Sequence, residues 1–490
     1  MRHERPQIRA RCAWLLLLLP LAAHSRDWTE LAPDSPDAPW TIPNDSAATR
    51  AYVDVAPDGR VDIDPTRVYG LAELIDIAQR SNPQTREAWE RARQAALAVG
   101  LVESTYAPQL SAEAIAGYQR TPLPIPSTLI EKGYFTSDSR ELIPSLAVKW
   151  LLFDFGRRAG AEQAARENSF VANVAFTGAH QKLIFAVSSD YYSLNAVRGR
   201  QRAAERALKT AEIDGDAVEA RRANGLATTV ELAQARRQIA QARFNVARAA
   251  GVERRAYAAL VASMGISPVT QIQVADSSEQ ELPPDPGASA DQFLTDALSK
   301  RPDVIAAFGK IRAAQGMLAK EQAEYRPTIA LAAQLYQNMG SLSTGGSDQW
   351  DSVNKPGGAI LLQFSWPLFD AGRRQRQIDI ARAEVDAAGD ALNQTRNMAV
   401  KEVTDAYYTL KTTLAEYAAA KVLTDAAQTA HDAGLDAYRN GVGTYTSLEN
   451  DANELVQAQT ELEDSHANVL TAAAALAFAT GSITSSDGRP

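Results

Sequence analysis

Thiols are almost absent from this 490-residue chain, whose one cysteine is Cys12. It stands before the apolar run 13–23, not directly after it as a lipid-anchoring cysteine must, so no lipid anchor is expected. Everything beyond residue 12 is barred from disulfides and thiolate metal sites. The five histidines are scattered, with no Ser/His/Asp arrangement and no metal-ligand spacing, and the glycines form no phosphate-cradling loop. Catalysis is left without candidates, so no enzyme, cofactor or metal is expected. Basic blocks are missing too, and a net charge of −9 gives no footprint for nucleic acid. No stretch reaches the roughly eighteen continuous apolar residues of a membrane-spanning helix.

Four arginines (Arg2, Arg5, Arg9, Arg11), the short apolar run and Ala23-His24-Ser25 read as a secretory signal peptide over 1–25. Its removal takes away four Arg and one Glu and moves the net charge from −9 to −12. Residues 26–70, rich in Pro, Asp and Ser around Trp28 and Trp40, read as an irregular arm.

Proline is missing from two long blocks, 145–267 and 368–489. Both are rich in Ala, Gln, Glu and Arg, a composition of long helices. Near the start of each block stands the same string. Leu152-Phe153-Asp154-Phe155-Gly156-Arg157-Arg158 returns 216 positions later as Leu368-Phe369-Asp370-Ala371-Gly372-Arg373-Arg374. That offset also carries Trp150 onto Trp366, Tyr191-Tyr192 onto Tyr407-Tyr408, Asn224-Gly225 onto Asn440-Gly441 and Gly265 onto Gly481. A constant offset without a gap marks one structural unit used twice. The copies span 71–265 and 301–482, joined by a connector at 266–300 and followed by a tail at 483–490.

Each copy reads alike. A helix opening at Pro83 or Pro302 runs 23 residues to Tyr106 or Tyr325. The apolar period then changes to two, giving strands at about 106–118 and 325–336, polar loops at 121–140 and 338–358, and returning strands at about 141–153 and 358–369. The hairpin strands are about long enough to cross a bilayer when tilted. Trp150, Phe153, Trp366 and Phe369 gather at the helix end, where an interfacial girdle would lie. Asp154 and Asp370 suit helix N-caps, and Gly156 and Gly372 permit the change of direction.

The helices that follow, 157–224 and 373–440, would be 68 residues each, roughly 100 Å. In the second, Val400, Val403, Tyr407, Leu410, Leu414 and Tyr417 form a heptad seam. Asn-Gly ends each long helix. Return helices follow at about 228–264 and 445–480, with expected capping boxes at Thr228–Glu231 and Thr446–Glu449. A 37-residue return helix laid end to end with the 23-residue helix comes close to the length of the long one. The fold class is therefore mostly α with β, a tandem repeat of long antiparallel helices with four strands per chain. Four strands cannot close a barrel, and an open sheet edge cannot face lipid. Two copies would give a filled eight-stranded barrel and three a twelve-stranded one with a lumen, so a trimer is expected.

The Asn82-Pro83 and Arg301-Pro302-Asp303 starts, the Tyr-x-Pro strand openings, both Leu-Phe-Asp-x-Gly-Arg strings and Asn440-Gly441-Val442-Gly443-Thr444 together resemble the TolC-like outer-membrane efflux family. The resemblance covers nearly the whole chain after the leader. It implies a homotrimeric duct: a β-barrel in outer-membrane lipid continuing into a periplasmic α-barrel. It implies a periplasmic adaptor and an inner-membrane pump of RND or ABC type as partners. Asn224, Gly225, Leu226, Ala227 and Thr228, with Asn440, Gly441, Val442, Gly443 and Thr444, would be the tips that meet the adaptor. Glu449 and Asp451 would be pore-constricting carboxylates, and Tyr438, Arg439 and Arg222 would hold the closed state. Asp154, Gly156, Asp370 and Gly372 would be structural, at the strand-to-helix junction. Small-molecule efflux and type I protein secretion both fit this layout. A structural coiled-coil protein of the envelope explains the helices but not the paired hairpins.

Overall fold

The computed structural model describes residues 63–128, 131–287, 289–344 and 349–483. The expected signal peptide, the arm before residue 63 and residues 484–490 lie outside the described residues.

Two passes through one element order build the chain. The first runs β1 (Val68–Tyr69), α1 (Leu71–Ser81), α2 (Pro83–Glu103), β2 (Gln109–Pro124), β3 (Tyr134–Phe153), α3 (Arg157–Ala223) and α4 (Thr229–Ser263). The second runs β4 (Gln273–Val274), α5 (Asp291–Lys300), α6 (Pro302–Ala323), β5 (Thr328–Thr344), β6 (Asp351–Ser365), α7 (Arg373–Arg439) and α8 (Tyr445–Ala479). The fold is mostly α, with both long helices 67 residues in length. α5 precedes Pro302 as α1 precedes Pro83, so the connector holds a counterpart of the first short helix.

The duplicated string makes a collar where strand becomes helix. Glycine takes each N-cap position, Gly156 at φ 116° and Gly372 at φ 82°, in place of the aspartates expected there. The aspartates cap from two residues earlier. Asp154 Oδ2 accepts the Arg158 N–H at 2.9 Å, and Asp370 Oδ2 accepts that of Arg374 at 3.1 Å. The same oxygens hold the two guanidinium groups, at 3.0 Å for Arg158 and 2.6 Å for Arg374. Arg158 donates onward to the carbonyls of Thr105, Leu151 and Leu152 and lies 4.4 Å from the Tyr106 ring centre. Arg374 donates to the Glu324 carbonyl and lies 4.7 Å from the ring centre of Tyr325. One buried arginine per repeat thus ties together two helix ends and, in the first repeat, the last strand residues.

β2, β3, β5 and β6 form one antiparallel sheet in that order. The strands are 16, 20, 17 and 15 residues long, beyond the roughly 9–11 that a tilted membrane strand needs. They run through most of both stretches expected as loops. The β2–β3 ladder continues unbroken from Gln109↔Lys149 to Pro124↔Tyr134, with Arg120 paired across it to Asp138 at 2.6 Å. β6 stops earlier than expected, at Ser365, just before Trp366-Pro367; Pro367 has no N–H for the ladder. The register collects Leu110, Leu142, Leu146, Leu331, Leu335, Ile360 and Leu362 on one face. Ser111, Glu113, Gln334 and Gln363 share the other. At the helix end the Trp150 and Trp366 indoles donate to the carbonyls of Tyr106 and Tyr325, at 2.8 and 3.1 Å.

α3 is the central helix. It packs on α2 and α6 towards the sheet and on α4 and α8 towards its far end, while α7 packs on α6 and α8. The short helices stack end to end. A Cβ on Gly265 would lie 2.7 Å from Asn82 Cα, and the Asn82 amide donates to the Ser263 carbonyl at 2.9 Å. A Cβ on Gly481 would lie 2.9 Å from the Arg301 nitrogen, and Arg301 donates to the Ala479 carbonyl at 3.1 Å. α4 is thus continued by α2, and α8 by α6. The largest core sits at this waist, where Leu74, Ile75, Val187, Leu194, Leu260 and Met264 are at most 1% exposed. Each such side chain contributes about 1.5–3 kcal/mol by its burial. In the α7 seam Val403, Tyr407 and Leu410 are buried and Leu414 and Tyr417 partly so, whereas Val400 is exposed.

Candidate functional site at the helix reversals

The two long helices reverse through matching turns. Asn224 and Asn440 are their C-caps, followed by Gly225 at φ 72° and Gly441 at φ 80°. The Leu226 N–H returns to the Arg221 carbonyl at 2.8 Å and the Val442 N–H to that of Ala437 at 3.0 Å. These are the six-to-one bonds of a Schellman ending, which needs a left-handed residue at the glycine. Thr228 then caps α4 and exchanges hydrogen bonds with Glu231, as expected. The second turn differs from its expectation. Thr444 caps α8 by accepting the Ser447 N–H at 3.2 Å, so no capping box forms at Thr446–Glu449 and Glu449 is not part of a cap. Ala227 and Gly443 are partly buried, while Leu226 and Val442 project, 65% and 83% exposed.

Behind the turns Val218, Leu232, Leu435, Tyr438, Tyr445 and Leu448 form an apolar cluster drawn from both repeats. Tyr438 and Tyr445 meet edge to face at 5.9 Å. Burial pushes both phenols up, that of Tyr445 to about 12. Of the three residues expected to link the tips, Tyr438 is buried, but Arg222 and Arg439 are exposed. The link comes from Arg221. Its guanidinium lies 4.9 Å from the Tyr438 ring centre and donates to the Tyr438 carbonyl and, at 3.3 Å, to the Leu226 carbonyl. Helical phase explains the substitution: Arg221 is on the inward face at the last turn of α3, and Arg222 is rotated 100° away from it.

The acidic residues in the first turns of α8 separate. Glu449 points to α4, where Arg237 is hydrogen-bonded and ion-paired to it. Gln238 donates to Asn453 one turn further on, at 2.9 Å. Asp451 turns instead towards α7, its carboxylate lying over Gly434, and Glu454 is exposed. Deeper in, His431 of α7 meets Asp214 of α3 at 3.4 Å, both side chains only 6% exposed. That hydrogen bond raises the imidazole pKa above its ordinary 6.5.

The comparisons with known proteins join this geometry to a family. Residues 74–266 and 293–482 match the family described as outer membrane efflux protein. The chain belongs to the outer membrane efflux protein family. Both reversals of this efflux protein fall inside the matched stretches. Protein CyaE of Bordetella pertussis is 28% identical over 363 residues, covering 71% of this chain and 70% of that protein. Outer membrane protein OprJ of Pseudomonas aeruginosa is 26% identical over 386 residues, covering 76% of each. The crystal structure of the outer membrane protein VceC from Vibrio cholerae superposes with a TM-score of 0.66 at 22% identity, covering 84% of this chain and 96% of that one. The efflux protein is thus a channel-class protein of the outer membrane.

Sequence reading missed Arg221, Arg237, Asp214 and His431. Their partners at the repeat offset are Ala437, Asn453, Ala430 and Gly215, so comparing the two copies gives no sign of them. A visible signal existed in charge. α4 carries six Arg and two Glu, while its counterpart α8 carries six carboxylates and no Lys or Arg.

Proposed function

We propose that three copies of this chain close into a ring that conducts small molecules out of the cell, as the exit duct of a tripartite efflux system. The observation that carries this reading is the pair of unsatisfied sides. The sheet ends in β2 at one edge and β6 at the other, and the helical layer ends in α2 and α4 on one side and α7 on the other. Leu110 and Ile360 on the apolar sheet face are 72% and 79% exposed, and Met398, Tyr408 and Val422 of α7 are exposed as well. An apolar sheet with free edges is not stable in lipid; head-to-tail pairing of β2 with the next copy's β6 removes every edge. Three copies give twelve strands around a lumen. The more polar face, with Glu113, Gln334 and Gln363, then lines the channel.

In this assembly the apolar sheet face meets outer-membrane lipid. The projecting Leu226 and Val442 are the contact points for a periplasmic adaptor, through which an inner-membrane pump of RND or ABC type delivers cargo. The Arg221–Tyr438 link belongs to the closed state. Cysteines placed singly on β2 and on β6 test the ring directly, since Cys12 is the only native thiol. Oxidation is expected to give cross-linked species up to a trimer and none larger. Absence of any β2–β6 cross-link overturns the reading.

A further inference from the structure

We propose that Arg237 sets the charge preference of the duct at its periplasmic end, making that end accept anionic solutes; this rests on the ring reading above. α4 and α8 both pack on α3 and lie on either side of it, and near the tips they reach each other through Arg237–Glu449 and Gln238–Asn453. The Glu449 side chain is 13% exposed, whereas that of Arg237, which lies over it, is 62% exposed. On this face solvent therefore meets the Arg237 guanidinium and not the Glu449 carboxylate. The carboxylate expected to constrict a cation-attracting pore is neutralised within its own chain.

The surrounding charges extend this arrangement along the helices. Arg248 and Arg255 stand 11 and 18 residues beyond Arg237, three and five turns on the same stripe of α4, and both are exposed. Among the described residues neither has an ion-pair partner within the chain, whereas Arg236 and Arg243 turn to Glu219 and Glu212 of α3. Of the other carboxylates of α8, Glu463 is held by Arg202 and Arg206 and Asp464 by Arg200, while Glu454 and Glu461 are exposed on a different face, more than 100° round the helix from Glu449. The uncompensated charge on this stripe is positive. A narrow passage lined by one sign of charge concentrates ions of the other sign, most strongly at low salt. The matching solute class is the organic anion, a carboxylate, sulfonate or phosphate.

The test is the reversal potential of the purified full-length protein in planar bilayers across a KCl gradient. The wild type is expected to favour chloride or to discriminate little between the ions. Arg237→Gln exposes Glu449 and is expected to raise the cation-to-anion permeability ratio by roughly threefold or more. Arg237→Lys is expected to stay near wild type, and adding Glu449→Gln to Arg237→Gln is expected to remove the cation preference. The trimer on a gel, before heating, confirms that each variant assembles. A wild type that conducts with strong cation selectivity, or an Arg237→Gln variant with an unchanged reversal potential, overturns the assignment of Arg237 and leaves the duct reading intact. A wild type that never conducts overturns both.

Discussion

Arg221 lies over the ring of Tyr438 and donates to that residue's own carbonyl, so the end of the first long helix holds the end of the second. No other side chain joins the reversal turns so directly among the described residues. Removing it leaves Tyr438 without a cation over its ring and the Tyr438 carbonyl with only the Gly441 N–H as donor. Arg221→Ala is expected to loosen the tips at a cost of about 1–2 kcal/mol and to raise the open fraction of single channels. Arg222→Ala, one residue on and exposed, is expected to change neither. Equal effects of the two variants contradict the account.

At the crossing of α3 and α6 the helices touch backbone to backbone. A Cβ on Gly160 would lie 2.5 Å from the Lys320 nitrogen, and one on Gly316 would lie 2.7 Å from the Ala164 nitrogen. Helix propensity alone favours alanine over glycine by about 1 kcal/mol. Forcing apart two close-packed helices costs about 1–3 kcal/mol, so Gly316→Ala is expected to lower the melting temperature. Gly251→Ala, in α4 with open space at its Cβ position, is expected to raise it slightly.

The collar arginines have no conservative replacement. Arg158 satisfies Asp154 and three backbone carbonyls with one planar fork, which a lysine ammonium cannot span. Arg158→Ala leaves a buried carboxylate unpaired and is expected to cost about 3 kcal/mol, read as loss of heat-resistant trimer. Arg158→Lys should recover only part of it.

Stability near the tips should depend on pH through His431. Its folded-state pKa is raised by Asp214 of α3, with Asp432 of its own helix 3.5 Å from the other ring nitrogen. Tyr445 of α8 stays neutral in this range, its hydroxyl pushed up to about 12. A raised pKa means the fold binds the proton more tightly than the unfolded chain does. The contribution is therefore full below pH 6.5 and is lost as pH rises through the folded-state value. Thermal melts are expected to show the wild type losing more stability from slightly acid to slightly alkaline pH than His431→Gln, whose profile should be flatter. Parallel profiles would remove His431 as the cause.

What was legible in the sequence is what the two repeats share. The collar could be located because Asp154/Asp370, Gly156/Gly372 and Arg158/Arg374 do the same work twice. The reversals could be located because Asn224-Gly225 and Asn440-Gly441 meet one backbone requirement. Strand ends were harder to place. The 121–140 stretch is polar like a loop, yet Arg120–Asp138 and an unbroken ladder keep both of its ends as strand, to Pro124 and from Tyr134. The tip contacts were hidden for a different reason. Arg221–Tyr438, Arg237–Glu449 and Asp214–His431 join residues about 210 or more positions apart, each at a site where the copies differ. Such pairs follow from how the helices pack, which neither periodicity nor the repeat offset encodes.

The central claim is that copies of this chain close into a membrane channel, and single-channel recording in planar bilayers tests it most directly. Purified full-length protein is expected to insert in discrete, uniform conductance steps. Protein that assembles and associates with the bilayer yet yields no steps would contradict it.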